Sequence, residues 1–273
     1  MRITSCSKNL RMTEAGRGSA FDSEHYLQSY PEGIENDYWS TARVWTVEAA
    51  LPDNARILEI GCGRGVVLKY LLSKGRDAWG SELASPPLLV GTENRIFAGV
   101  AAETLPIAFR ESIECLLLLD VIEHVHDAPS FLSKILDAYP NASTVIVTVP
   151  ARPEVWSKWD EYYEHRRRYT RKSLAAHLTQ AGLHPIKMQY FFHSLYAAAL
   201  LLRLIGHKRK ISRTAPRNFM IHRLVAWYLW TESKLLMHIG PLPGLSLLTV
   251  ARRGVVEAMA PELTTTSSPL MRN

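Results

Sequence analysis

Apolar and polar positions follow two rhythms along most of the chain. Over residues 38–51 (YWSTARVWTVEAAL) apolar side chains recur at helical spacing, and Pro52, Asp53 and Asn54 then mark a turn. Beyond it, short apolar runs alternate with amphipathic stretches. Residues 55–60 (ARILEI), 77–82 (DAWGSE), 96–99, 113–119 (IECLLLL) and 143–149 (STVIVTV) are predicted strands. The wholly apolar run at 113–119 suits a strand buried on both faces. Helices are predicted over 64–73, from Ser85 with Pro86 in the first position, over 128–139, and over 171–181, where Gly182 stops the last one. Strands spaced by helices mean βαβ units and a parallel sheet.

After Pro150 the character changes. Residues 151–170 are rich in Trp, Tyr, Arg and acidic side chains and read as a loop or cap. Residues 186–191 form a further predicted strand. A long helical stretch follows, broken by the basic segment HKRKISRTAPR, and residues 245–251 (LSLLTVA) return as a final strand. The expected organisation is a tail and lead-in (1–36), a core (37–190), a helical insertion or cap (191–242), a final core strand (243–253) and a disordered tail (254–273).

With 273 residues, 47% of them apolar and 21% charged, the chain is globular in composition. A formal charge of +6 is compatible with an anionic partner, whether nucleic acid, acidic lipid or a phosphorylated substrate, and does not choose among them. The cysteines, Cys6, Cys62 and Cys115, form no CxxC pair, which argues against a disulfide framework and a zinc site. Cys62 and Cys115 read as small buried hydrophobes. The N-terminal residues carry no apolar signal region, so a reduced cytoplasmic setting is the default expectation.

The strongest local signal is Glu59-Ile60-Gly61-Cys62-Gly63-Arg64-Gly65, between a predicted strand and a predicted helix. Glycines there let the backbone turn tightly and approach a ligand, with helix N–H groups facing it. The spacing is G-x-G-x-G, and Val66 occupies the place where the dinucleotide pattern G-x-G-x-x-G needs its last glycine. A second acid, Glu82, ends the next strand about 20 residues on, where a carboxylate accepts hydrogen bonds from ribose hydroxyls.

ILEIGCGRG, the SEL segment and LLLLDVIEHVHD together resemble class I methyltransferases that bind S-adenosylmethionine, most of all the ubiquinone/menaquinone-type and related small-molecule enzymes. The resemblance covers residues 37–190 and the last strand. It implies a Rossmann-like doubly wound sheet of seven strands with an antiparallel last strand, and S-adenosylmethionine lying over the C-terminal strand ends. Carried over by position, Gly61, Cys62, Gly63 and Gly65 form the turn against the methionine part, and Glu59 holds its amino group. Glu82, followed by Leu83, takes the ribose, and Ala102 and Glu103 flank the adenine. Such families often carry Asp before this Ala-Glu pair; this chain has Ala101. Asp120 faces the methyl-transfer region.

The acceptor side rests on two clusters. Asp120-Val121-Ile122-Glu123-His124 ends a strand, where α/β ligand sites form. A hydroxyl acceptor needs its proton removed, and Asp120, His124 and His165 are the candidate catalytic residues. In some ubiquinone-type enzymes the similar segment is linked to a divalent metal; the alternative is that Glu123 and His124 are structural, and no metal is assigned. The second cluster, Trp156, Trp159, Asp160, His165, Arg167, Arg168 and Tyr169, resembles a methyltransferase subgroup of polysaccharide, lipid and natural-product pathways. Trp156, Trp159, Arg167, Arg168 and Tyr169 are the candidate substrate contacts, and a salt-bridged cap around Asp160 is the alternative.

The expected activity is methyl transfer to a small molecule, through a hydroxyl, with lipid-linked, saccharide and natural-product acceptors in view. A nucleic-acid methyltransferase is the rival, disfavoured because no N/D-P-P-Y/F segment follows the fourth strand. A non-catalytic cofactor-binding scaffold is the other. The insertion is expected to pack as a cap over the substrate pocket. Peripheral membrane contact through residues 191–239 is the alternative, prompted by Lys208, Arg209, Lys210, Arg213 and Arg217 between apolar helices.

Overall fold

The alternation in the sequence produces, in chain order, the strands β1 (Ile57–Ile60), β2 (Ala78–Glu82), β3 (Ile96–Ala98), β4 (Cys115–Leu119), β5 (Thr144–Pro150), β6 (Leu183–Phe191) and β7 (Ser246–Arg253). The helices are α1 (Tyr38–Glu48), α2 (Val66–Ser73), α3 (Ile107–Glu111), α4 (Ala128–Ala138), α5 (Lys158–Tyr162), α6 (Arg171–Gln180), α7 (His193–Leu204) and α8 (Phe219–Leu236). The structure is a computed structural model that describes residues 30–205, 218–236 and 242–254. Residues 1–29 of the predicted lead-in, residues 255–273 of the predicted tail and the basic segment HKRKISRTAPR therefore lie outside the described residues, as does Cys6.

The strands form one sheet in the order β3-β2-β1-β4-β5-β7-β6. β1 to β5 run parallel, and β7 pairs antiparallel with both β5 and β6. This is the expected seven-stranded, doubly wound sheet with an antiparallel last strand. The chain winds outward from β1 to β3 and then returns to place β4 on the other side of β1. A crevice therefore opens at the strand ends between β1 and β4.

Alternation within each strand builds two cores. Leu116 and Leu118 of β4 face Leu132, Ile135 and Leu136 of α4 and Leu174 and Leu178 of α6 on one side. Cys115, Leu117 and Leu119 face Val44 and Val47 of α1, Val67 and Leu71 of α2, and Ala226 and Leu229 of α8 on the other. Every residue of β4 is buried, because helices cover both faces. Cys62 and Cys115 are free and buried.

Boundaries move by a few residues from those expected, and one prediction fails. No helix starts at Ser85; residues 83–90 run without helical structure. Pro87 disfavours the helical conformation at Pro86, and neither proline has an N–H to donate. The segment is instead tied back by Leu89 N–H to Arg64 O (2.9 Å), and Arg64 Nε donates to Pro87 O (2.8 Å). β6 starts three residues earlier than expected, at Leu183. It lies at the sheet edge with an irregularity between Pro185 and Lys187, the place where a strand tolerates proline. The stretch read as a loop or cap contains α5, closed by a reciprocal cap between Ser157 and Asp160.

Candidate active site

The glycine turn sits at the crevice. Gly61, Gly63 and Gly65 all have positive φ (74°, 54° and 86°), a conformation costly for any residue with a Cβ. A Cβ at Gly61 would also lie 2.9 Å from Val121 Cγ2, and one at Gly65 would lie 2.7 Å from Ile96 Cδ1. Gly61 and Cys62 donate their N–H groups to Ser81 O (2.8 and 3.2 Å), which fastens the turn to β2. Glu82 completes the clasp: Gly63 N–H donates to Oε2 (2.9 Å) and Ala84 N–H to Oε1 (3.0 Å).

Three acids and one arginine lie under the turn. Glu59 is buried in β1, and Oε2 has no hydrogen-bond partner. Burial raises its pKa to about 8, Glu82 and Asp120 add to that, and Arg43 opposes it. Asp120 directly follows β4 with a left-handed φ of 58°. Its Oδ1 accepts from Thr148 Oγ1 (3.1 Å), and its Oδ2 forms an ion pair with Arg43 of α1. Glu123 is fully buried. Apart from stabilisation by its own backbone N–H, its oxygens have no hydrogen-bond partner. Burial first, and Asp120 second, push it well above the usual carboxylate range.

His124 and His165 meet edge to face, ring centroids 4.9 Å apart. Burial and the neighbouring His165 lower the pKa of His124 to about 4, so its imidazole is neutral at pH 7. His165 Nδ1 lies 2.9 Å from Asp160 Oδ1, which also accepts from Arg168 Nε (2.7 Å). Burial of Asp160 favours its neutral form, but His165, Arg168 and the Ser157 N–H outweigh it and hold the carboxyl below the usual range. Asp160 thus serves both α5 and the histidine. Among the described residues, Glu123, His124 and His165 bring one donor atom each within 4.8 Å of one another, a geometry able to hold a cation.

All of this opens into one cleft of about 1270 Å³. Glu59, Gly61, Cys62, Gly63, Glu82, Leu83, Ala102, Glu103, Asp120, His124, His165, Trp156, Trp159 and Arg168 line it, so the structure gathers most of the residues singled out from the sequence. Three do not line it. Gly65 stands behind the turn at the start of α2, packed on Thr92 and Ile96. Arg167 turns away, donating to Val125 O (2.9 Å) and His126 O (2.7 Å) in the loop after β4. Tyr169 is buried in the core, its hydroxyl near Ile122 O (3.4 Å) and His177 Nδ1 (3.3 Å).

Sequence reasoning expected the insertion beside the pocket but missed the part of the wall made by α1. Tyr38, Trp39 and Arg43 come from α1, Leu195 and Leu202 from α7, and His222 from α8. A signal for Arg43 was available: a lone cation on the face of α1 that otherwise carries Ala42, Val44 and Val47 into the core.

Known proteins resemble the chain in the same region. The family described as a methyltransferase domain matches residues 40–187. The ubiquinone biosynthesis O-methyltransferase of Hahella chejuensis (strain KCTC 2396) is 28% identical over 114 residues, 39% of this chain and 48% of the relative. That of Pseudomonas putida (strain GB-1) is 26% identical over 95 residues, 32% and 41% of the two. The chain thus spans about half the length, or less, of the curated relatives it matches. Among solved structures, the putative methyltransferase complexed with the Trm112 methyltransferase activator of Haloferax volcanii has a TM-score of 0.54 at 16% identity, covering 86% of this chain and 97% of that one. The 1,6-didemethyltoxoflavin-N1-methyltransferase of Burkholderia thailandensis, solved with 1,6-didemethyltoxoflavin and S-adenosylhomocysteine, has a TM-score of 0.50 at 17% identity, covering 85% and 83%. At these identities the likeness is one of fold.

Proposed function

The chain belongs to the methyltransferase-domain family, and from that premise we propose that it transfers a methyl group from S-adenosylmethionine to a hydroxyl of a small amphiphilic molecule. The observation that carries this reading is the single cleft that joins the glycine turn and its acids to an aromatic wall and a half-buried histidine pair. The residues present fit the cofactor. A buried carboxylate with an unpartnered oxygen, Glu59, suits an ammonium group. Glu82, on the far side of the turn, has lone pairs left for ribose hydroxyls after accepting from Gly63 and Ala84. When bound, the cofactor supplies a methyl made electrophilic by its sulfonium.

The chain's own residues then have three tasks. The turn and Asp120, fixed by Thr148 and Arg43, set the floor of the cleft. Trp39, Trp156 and Trp159, with Leu195 and Leu202, offer an apolar wall that excludes water and orients an acceptor with apolar surface. His165 takes the acceptor's proton. Asp160 accepts from Nδ1–H and so leaves Nε2 as the basic nitrogen, the logic of a carboxylate-oriented base. His124, at about 4, is too weak a base for this and serves better as an uncharged neighbour.

A second reading is favoured by the Glu123, His124 and His165 cluster. A divalent cation held there would lower the pKa of an acceptor hydroxyl. The two readings differ in their response to chelation, which abolishes turnover only in the second.

The reading as a whole is tested by calorimetry. Glu82→Ala is expected to weaken S-adenosylmethionine binding by about 1.5–3 kcal/mol, the range for hydrogen bonds to a charged group, while the protein stays folded by circular dichroism. Unchanged affinity overturns the assignment of the cleft.

A further inference from the structure

Two helices between β6 and β7 present apolar side chains to both sides. The inner sides are accounted for. Leu195 and Leu202 of α7 and His222 of α8 line the cleft, and Ala226 and Leu229 of α8 pack into the core beside α1. Trp230 meets Trp45 of α1 edge to face at 6.1 Å. The outer sides are not. Met220, Leu224, Trp227, Tyr228 and Leu235 recur at helical spacing along α8, and all are exposed, Met220 by 77%. On α7, Leu201 and Leu204 at its C-terminal end are exposed by 59% and 75%, with Ile205 just beyond. Scattered exposed apolar residues need no explanation, but an aligned set of this size does.

Charge identifies the partner. From His193 to Thr231 the sequence contains no Asp or Glu, while it carries Arg203, Lys208, Arg209, Lys210, Arg213, Arg217 and Arg223. Those seven cations exceed the whole chain's net charge of +6, so the rest of the protein is close to neutral. Two of these cations, Arg203 and Arg223, lie on the helices that expose apolar side chains, and the other five fall in the sequence that joins them. A soluble partner helix would be satisfied by apolar contact alone. A second copy would bring equal positive charge against this one. An anionic lipid surface complements both features, with apolar side chains entering the headgroup boundary and cations remaining among the phosphates. Among the described residues no helix is long and apolar enough to cross a membrane, so the contact is one of lying on the surface.

We propose that the outer faces of α7 and α8 dock this protein on an anionic lipid surface, bringing the helices that wall the cleft to the bilayer. The placement suits an amphiphilic acceptor, which would reach the cleft past Leu202 and Arg203 without crossing bulk water. The proposal stands apart from the methyl-transfer reading, because vesicle binding is measured without cofactor and without turnover.

The test is flotation of the full chain with vesicles of phosphatidylcholine, alone or mixed with equal phosphatidylglycerol, at about 50 mM and about 500 mM salt. Binding is expected to the mixed vesicles and to fall severalfold at the higher salt, where screening shortens to a few ångströms. Each cation at such a surface strengthens partitioning roughly fivefold, so the double variant Arg203→Gln/Arg223→Gln is expected to bind on the order of twentyfold more weakly. Leu224→Ser/Trp227→Ser, at exposed positions that leave folding intact by circular dichroism, is expected to lose at least about tenfold. Equal binding to neutral and anionic vesicles, insensitive to salt, overturns the charge argument and the proposal with it. Absence of flotation overturns it too. A concentration-dependent dimer lost in Leu224→Ser/Trp227→Ser then assigns the face to a second copy, and a monomer at all concentrations assigns it to another part of this chain.

Discussion

Glu59 shows how much one residue's surroundings matter. In the sequence it is an acid ahead of a glycine turn; in the structure it is a buried carboxyl whose pKa reaches about 8, with Arg43 opposing and Glu82 and Asp120 reinforcing the effect of burial. A ligand ammonium beside it favours its ionised form, so binding must release a proton wherever the free protein holds one. The affinity for S-adenosylmethionine is therefore expected to rise between pH 6 and pH 7.5, by up to about tenfold per unit, and to be flat over that range in Glu59→Gln. Calorimetry in buffers of different ionisation enthalpy checks both the slope and the proton release. The sign for stability is opposite. A carboxyl with a raised folded pKa contributes fully below its unfolded value near 4.5, and that contribution is lost as pH rises toward 8. Glu59→Gln is accordingly expected to raise the melting temperature of the free protein more at pH 8 than at pH 5. Equal shifts at the two pH values would show that Glu59 is ionised throughout.

At the scale of elements, α5 is both a piece of secondary structure and a support for chemistry. Asp160 closes the cap of α5 through Ser157, pairs with Arg168 and orients His165. Its neutral isostere separates these tasks. Asp160→Asn keeps the shape but removes the charge that stabilises a protonated His165. Turnover is expected to fall by about 10²- to 10⁴-fold, with cofactor affinity unchanged. His165→Gln is expected to match that loss, and the two changes together to cost no more than either alone, as for residues acting as a unit. Wild-type turnover in both variants would place proton removal elsewhere. The sequence anticipated a salt-bridged cap and a base here, either of which leaves room for the other, and Asp160 is the carboxylate that touches both Arg168 and His165. The absent helix at Ser85 belongs to the same scale: a cap residue and one proline suggest a start, but Pro86 and Pro87 in tandem prevent continuation.

For the whole molecule, the cleft draws its walls from the first described helix, from the strand ends, from the cap and from the helices between β6 and β7. A ligand that touches all of these stabilises the native state by mass action. At about a hundred times its dissociation constant, S-adenosylhomocysteine is expected to add about 2.7 kcal/mol, which for a chain of this size raises the melting temperature by about 5–10 °C. Scanning calorimetry checks it, and a shift absent in wild type would remove the cleft as the binding site. The sequence by itself determined the sheet and the cofactor end of the cleft. Strand and helix periods are local, and the glycine turn, Glu59 and Glu82 act within a few residues of the strands that carry them, so spacing alone exposes them. Only the tertiary structure decided that Arg43 reaches Asp120, that Arg167 and Tyr169 point away from the cleft, and that α8 buries one side while leaving Met220, Leu224 and Trp227 bare. These depend on contacts between residues far apart in the chain. A helix that is apolar on both sides does not show in its sequence which side finds a neighbour.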